Sequence, residues 1–186
     1  MRLFVAVFPP APARADLRLA LRQQERALDG AALRLTPVER WHLTLAFLGE
    51  VADEHRGAVE MALDGVPGAR RRPVEAARGR GIGLWLAGAG RFENGGSAAL
   101  WTGVAGDLTG LSGLQTDICA ALVAAGLPVD HRAFRPHLTI AYSRGGRAPA
   151  ALDDYAGPAW TVDEFVLVRS RFHEGGGYDH LGAWAC

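Results

Sequence analysis

The sequence predicts an α+β protein in which helices pack on the outside of largely antiparallel sheets. Two observations predict it. Short apolar, β-rich runs closed by Gly or Pro alternate with stretches of helical apolar spacing, in the order strand, helix, strand, helix, strands, helix, strands. The tripeptide His-Leu-Thr also occurs twice, at 42–44 and 137–139, each time inside a strand-like apolar stretch. One copy means little. Two copies about half a chain apart suggest a site assembled from two related halves, each supplying one imidazole and one hydroxyl.

Leu3 to Phe8 reads as a buried strand stopped by Pro9-Pro10. From about Pro12 to Leu28 apolar residues recur at helical spacing (Leu17, Leu21, Leu28), with Asp29-Gly30 as the stop. Leu33 to Thr36 is a short strand broken at Pro37, and the first His-Leu-Thr strand ends at Gly49. Asp53 to Leu63 reads as a second helix with Asp53 as its N-cap. Val74 to Ala77 and Ile82 to Leu86 read as strands. Gly88 to Gly96 reads as a surface turn, without the Gly-Lys-Ser/Thr of a phosphate loop. Ala98 to Val104 is a strand. Asp107 to Ala125 is an amphipathic helix ending at Gly126, with Leu111, Leu114, Ile118 and Leu122 on one stripe. After the second His-Leu-Thr strand, Gly145 to Gly157 is loop-like, and Trp160 to Phe172 and Tyr178 to Trp184 read as two final strands.

A length of 186 residues with 49% hydrophobic content suits one domain, 1–186, of two lobes sharing a sizeable core. Twenty basic residues balance twenty acidic ones, which argues against a broad electrostatic grip on nucleic acid but leaves room for a local basic cleft. Every basic residue is arginine, and Ala and Gly are plentiful, as GC-rich codon usage produces. No arginine therefore reads as a phosphate ligand by type alone, and Arg70-Arg71-Arg72 reads as a solvated turn. Cys119 and Cys186 form neither a disulfide framework nor a zinc set. His55, His131, His173 and His180 lack metal-ligand spacing, so neither metal nor cofactor is expected. The N-terminal apolar run is too short to span a membrane or to serve as a signal core. The expectation is a cytoplasmic monomer without a membrane partner.

Alternate side chains on a strand share a face. His42 and Thr44 therefore point one way while Trp41, Leu43 and Leu45 point the other. His137 and Thr139 repeat the pattern, with Leu138 and Ile140 opposite. The arrangement suits in-line displacement at phosphorus, where a base stands on one side and an acid on the other. Imidazole, with an ordinary pKa of ~6.5, serves either role near neutrality, and each acid–base contribution is typically ~10²–10⁴-fold. The threonine hydroxyls can hold the non-bridging phosphoryl oxygens. An isolated strand histidine is usually structural, and threonine is simply a good strand former. It is the repetition of the same polar face that tips the balance towards function. The symmetry of the pair does not say which histidine is acid and which is base.

At these residues the chain resembles the 2H phosphoesterase superfamily, and closely the bacterial and archaeal RNA 2′,3′-cyclic phosphodiesterases (the LigT-like, or 2′-5′ RNA ligase, group). His42 to Leu45 and His137 to Ile140 match the family's two His-x-Thr-x motifs. Arg2 to Ala6, Phe134, and Leu167 to Phe172 with Tyr178 and Leu181 fit its opening strand, its pre-motif position and its closing hairpin. The resemblance implies a bilobal α+β fold, with two pseudo-twofold-related antiparallel sheets flanking a central cleft. It implies hydrolysis of 2′,3′-cyclic phosphate ends of RNA to 2′-phosphomonoesters without a cofactor. His42 is then the proton donor, His137 the proton acceptor, and Thr44 and Thr139 the phosphate ligands. Many relatives carry an arginine where Tyr142 stands; Arg144, two residues on, is a candidate substitute. Arg132 and Arg135 are candidates for backbone phosphates and Phe134 for base stacking, against ordinary roles in solubility and core. Two rivals stay open: a 2H enzyme for a small cyclic nucleotide or ADP-ribose cyclic phosphate, and a non-catalytic RNA- or nucleotide-binding module of the same fold.

Overall fold

The computed structural model describes residues 1–23, 33–71, 81–144, 152–171 and 176–186. The first half contains β1 (Arg2–Val7), α1 (Ala11–Gln23), β2 (Leu33–Leu35), β3 (Leu43–Glu50), α2 (Arg56–Asp64) and β4 (Arg70–Arg71). Then follow β5 (Ile82–Asn94), β6 (Ser97–Gly106), α3 (Leu108–Ala124), β7 (His137–Arg144), β8 (Trp160–Val162), β9 (Glu164–Ser170) and β10 (Tyr178–Ala185). The strands pair antiparallel along one path, β4-β10-β9-β1-β3-β7-β6-β5-β8, with β2 also on β7.

That path has a waist. The β3–β7 register consists of one pair, Leu43 opposite Leu138. These are the middle residues of the two His-Leu-Thr tripeptides, so the approximate twofold axis runs between them. Two backbone hydrogen bonds lace the halves together. Thr36 N–H donates to Ile140 O at 2.8 Å, and Asp130 N–H donates to Phe47 O at 3.0 Å. The segment leading into each motif thus crosses to the other motif's strand. The two sheets expected from the resemblance are therefore joined into one.

The α3 helix follows its sequence signals at both ends. Asp107 caps α3 by accepting from Gly110 N–H at 2.8 Å, and Gly126, with φ +72°, ends the turn beyond it. Leu111, Leu114, Ile118 and Leu122 are the buried residues of α3, which packs on α2 and β3. The α1 helix buries Ala13, Leu17 and Leu21 and touches β5. Its expected continuation to Leu28 and the stop at Asp29-Gly30 lie outside the described residues, as does the strand expected at Val74 to Ala77.

Four expectations are corrected. Asp53 does not cap α2: the chain enters through a 3-10 turn, Asp53–His55, and the Asp53 carboxylate lies 3.4 Å from the Met1 nitrogen. Gly88 to Gly96 is mostly strand. Gly88 sits in a bulge at φ +64°, its carbonyl accepting from the Thr102 hydroxyl at 2.8 Å. The turn proper is only Gly95-Gly96, at φ +51° and +88°, a pair of left-handed residues that a two-residue hairpin needs. Trp160 to Phe172 is not one strand: the chain breaks at Asp163, β8 joins β5 and β9 joins β1, so the two pieces serve opposite halves. Arg70 and Arg71 form β4 against Trp184 and Ala185 of β10 rather than a turn.

Candidate active site

His42 stands just before β3 and His137 opens β7. Leu43 and Leu138 are fully buried beneath them. Thr44 and Thr139 line one cavity of about 310 Å³ together with His42, as strand alternation predicts. Each imidazole is held by the same device. His42 Nδ1 is 2.6 Å from Arg40 O, and His137 Nδ1 is 2.6 Å from Arg135 O. A carbonyl only accepts, so each Nδ1 carries the hydrogen and donates it, and Nε2 is the nitrogen left for chemistry.

Both motif strands bulge immediately after the threonine. The β1–β3 register passes from Thr44 to Ala46, and the β6–β7 register from Thr139 to Ala141, so Leu45 is skipped in the pairing with β1 and Ile140 in the pairing with β6. Strict alternation would turn Phe47 and Tyr142, each three residues past its threonine, away from the cleft. The bulges reverse that parity, and both rings line the cavity. A guanidinium covers each: Arg2 lies 5.0 Å from the Phe47 centroid and Arg34 lies 5.3 Å from that of Tyr142. Sequence reasoning missed this aromatic pair. The available signal was an aromatic residue at one offset from both motifs.

The two imidazoles differ in surroundings. His42 sits among Phe4, Phe8 and Tyr178, with centroids at 4.8, 5.8 and 5.4 Å. Burial holds its pKa down at about 4; the hydrogen bond to Arg40 O pulls the other way, and the charge of His137 adds to the depression. His137 packs against Phe92 at 4.8 Å and Trp101 at 6.1 Å. The Trp101 indole lies where a Cβ on Gly90 would be, so glycine is required beneath it. His137 is outside the lining of the cavity that Thr139, on the same strand, helps to form.

Arg2 and Arg40 bring positive charge to the cavity, and no carboxylate is among its described lining residues. The Arg40 guanidinium lies 5.8 Å from the Tyr178 ring and against Gly176, whose φ of +81° and missing side chain both suit the turn there. Among the described residues no three His, Cys, Asp or Glu side chains converge as a metal site. No helix among the described residues is long and apolar enough to cross a membrane.

The family model of the 2′-5′ RNA ligase superfamily matches residues 8–174. The chain belongs to that superfamily. It is 34% identical over 177 residues to an RNA 2′,3′-cyclic phosphodiesterase of Thermus thermophilus, covering 92% of this chain and 82% of the relative. It is 32% identical over 152 residues to one of Geobacillus stearothermophilus, covering 78% of this chain but only 45% of that longer relative. The crystal structure of Escherichia coli LigT complexed with 3′-AMP superposes with a TM-score of 0.71 at 26% identity, covering 99% of this chain and 96% of that one. The α+β, antiparallel fold of this superfamily is the one expected from the sequence.

The remaining sequence candidates of this superfamily member lie elsewhere. Arg132 is exposed and tied to Asp130, Nε to Oδ2 at 2.7 Å. Phe134 packs against the main core, and the Arg135 side chain is exposed. None of the three lines the cavity. Arg144 pairs with Ser97 through its backbone, and its side chain lies outside the described residues. Arg2, Arg40, Phe47, Tyr142 and Tyr178 take the lining positions instead.

Proposed function

We propose that this chain hydrolyses 2′,3′-cyclic phosphate ends of RNA to 2′-phosphomonoesters, a metal-independent reaction run by two histidines. The observation that carries the reading is the duplicated lock on the imidazoles. Each Nδ1 donates to the carbonyl two residues upstream, leaving Nε2 of both rings for proton transfer on either side of the Leu43–Leu138 axis. Relatives named RNA 2′,3′-cyclic phosphodiesterase support the substrate class.

In this reading Thr44 and Thr139 donate hydrogen bonds to the non-bridging oxygens, and Arg2 and Arg40 balance their charge. His137 Nε2 takes a proton from water as the water oxygen attacks phosphorus. The bond from phosphorus to the 3′-oxygen breaks, and His42 Nε2–H protonates that oxygen. The products are a 2′-phosphate and a free 3′-hydroxyl. His42 must be charged to act as the acid, yet burial keeps it neutral near pH 7 in the free protein. The arriving phosphodiester anion favours the imidazolium, so substrate binding arms the acid. The test is incubation of an oligonucleotide ending in a 2′,3′-cyclic phosphate with the protein in excess EDTA. A 2′-phosphate end is the expected product; loss of turnover in EDTA would remove the mechanism.

A further inference from the structure

The hydrogen bond from Nδ1 to Arg135 O pins one corner of the His137 ring and leaves its plane to be set by what packs against it. Resting on the role proposed above for His137, we infer that Trp101 is a positioning residue for that base. Seated in a slot over Gly90 and flanked by Phe92, its indole sets the plane of the imidazole. The first constraint is local, since the carbonyl lies two residues upstream. The second comes from the β5–β6 hairpin, which is remote from His137 in sequence.

The register of three strands builds this corner. Trp101 of β6 stands opposite Gly90 of β5 and Thr139 of β7. Directly paired residues share a face, so the indole rises on the face that carries Thr139 and, two residues before it, His137. The register shift between Leu100 and Trp101 is what achieves this. Without it Trp101 would stand opposite Ile140, on the other face. His137 itself stands opposite Gly103, which has no side chain and where a Cβ would meet the Ala87 carbonyl oxygen at 2.7 Å. That leaves Trp101 as the diagonal neighbour, its ring centroid 6.1 Å from that of the imidazole. Phe92 meets the same imidazole edge to face, at 4.8 Å and 82°. Phe92 and Trp101 lie 5.2 Å apart, so the three rings form one cluster.

Two features say that the indole is placed for His137 rather than for stability. Its benzo ring occupies the position of a Cβ on Gly90, so any side chain there would push it off its seat. Its Nε1–H is buried and has no hydrogen-bond partner among the described residues. A buried indole N–H usually finds an acceptor, and leaving it without one costs stability. Such breaks of a local rule belong where function sets the geometry.

Size-swap variants test the placement. Gly90→Ala displaces the indole without touching His137. It should lower kcat on a cyclic-phosphate oligonucleotide by about 10–10²-fold, with KM within about twofold. Adding Trp101→Phe, whose shorter ring clears the new methyl, should restore most of that loss. Trp101→Leu should lower kcat by a similar factor in the wild-type background and by nothing further in His137→Ala, because it acts through that ring alone. A rise in KM at unchanged kcat would make the indole a substrate contact and overturn the proposal. So would an equal loss in the His137→Ala background. A crystal structure of Gly90→Ala needs no turnover. It should show the His137 imidazole turned by more than about 20°, outside the tolerance of a working site, with His42 unmoved. An unturned His137 would overturn the positioning. A wild-type chain that hydrolyses no cyclic phosphate, with the selective turn of His137 intact, would sink the reaction and leave the placement standing.

Discussion

The two halves of the site share a backbone and differ in climate. Around His42 and His137 the same elements recur in the same order: a carbonyl two residues upstream on Nδ1, a buried leucine, a threonine in the cleft, and a bulge directly after it. Three aromatic rings then enclose His42 and depress its pKa to about 4, whereas two rings flank His137, one at 6.1 Å. In the proposed reaction, repetition sets the geometry of the acid and the base, while non-repeated packing surrounds the two rings differently. Paired titratable groups whose environments diverge are how one fold supplies both roles.

The comparison breaks most sharply at the imidazoles. His42→Ala and His137→Ala are each expected to lower kcat by ~10²–10⁴-fold. The double variant should fall well short of the product of the two losses, since the pair acts as a unit. Rapid-quench assays on a cyclic-phosphate oligonucleotide measure this, and wild-type turnover by either single variant would mean that its half is structural only. A smaller effect comes from the hydroxyls. Thr44→Val and Thr139→Val each remove one of the donors proposed for the phosphoryl oxygens, and a loss of roughly 10²-fold in kcat is expected. If one threonine proves silent, the halves differ in phosphate binding as well as in the climate of the histidine.

Strand periodicity made His42, Thr44 and Thr139 readable as neighbours in one cavity, because a period of two is local information, whereas His137 packs outside that lining. The α3 stripe and its Asp107 and Gly126 boundaries were readable for the same reason. The bulges at Leu45 and Ile140 were not. They arise from pairing with β1 and β6, which are remote in sequence, and they alone bring Phe47 and Tyr142 to the cleft. Arg2 and Arg40 were likewise illegible as lining residues, since twenty arginines gave no reason to prefer these. Phe134 and Arg132 sit beside the second motif in sequence, yet one joins the core and the other pairs with Asp130. Chain proximity was a weaker guide than the twofold axis.

The subtlest difference between the halves is electrostatic, and pH exposes it. The profile of kcat/KM reports ionisations of the free enzyme, so the burial of His42 should place one limb near pH 4. In kcat, which reports the bound state, the same limb should move upward as the phosphodiester anion stabilises the imidazolium. Phe8→Ala opens one wall of the aromatic cage and lets water reach the ring. Proton NMR titration of the His42 ring should then show its pKa rising from about 4 towards the ordinary 6.5. Stability carries the same signature. Above pH ~6.5 neither folded nor unfolded chain holds a proton at His42. Between that pH and about 4 the unfolded chain takes up a proton that the folded site refuses, so stability falls as pH falls through that window. Removing the group in His42→Gln should recover roughly 1–3 kcal/mol of the loss, read from urea unfolding at pH 7 and pH 4.5. An unchanged pH dependence in that variant would show that the cage leaves His42 as easily protonated as it is in water, and the contrast between the halves would then rest on geometry alone.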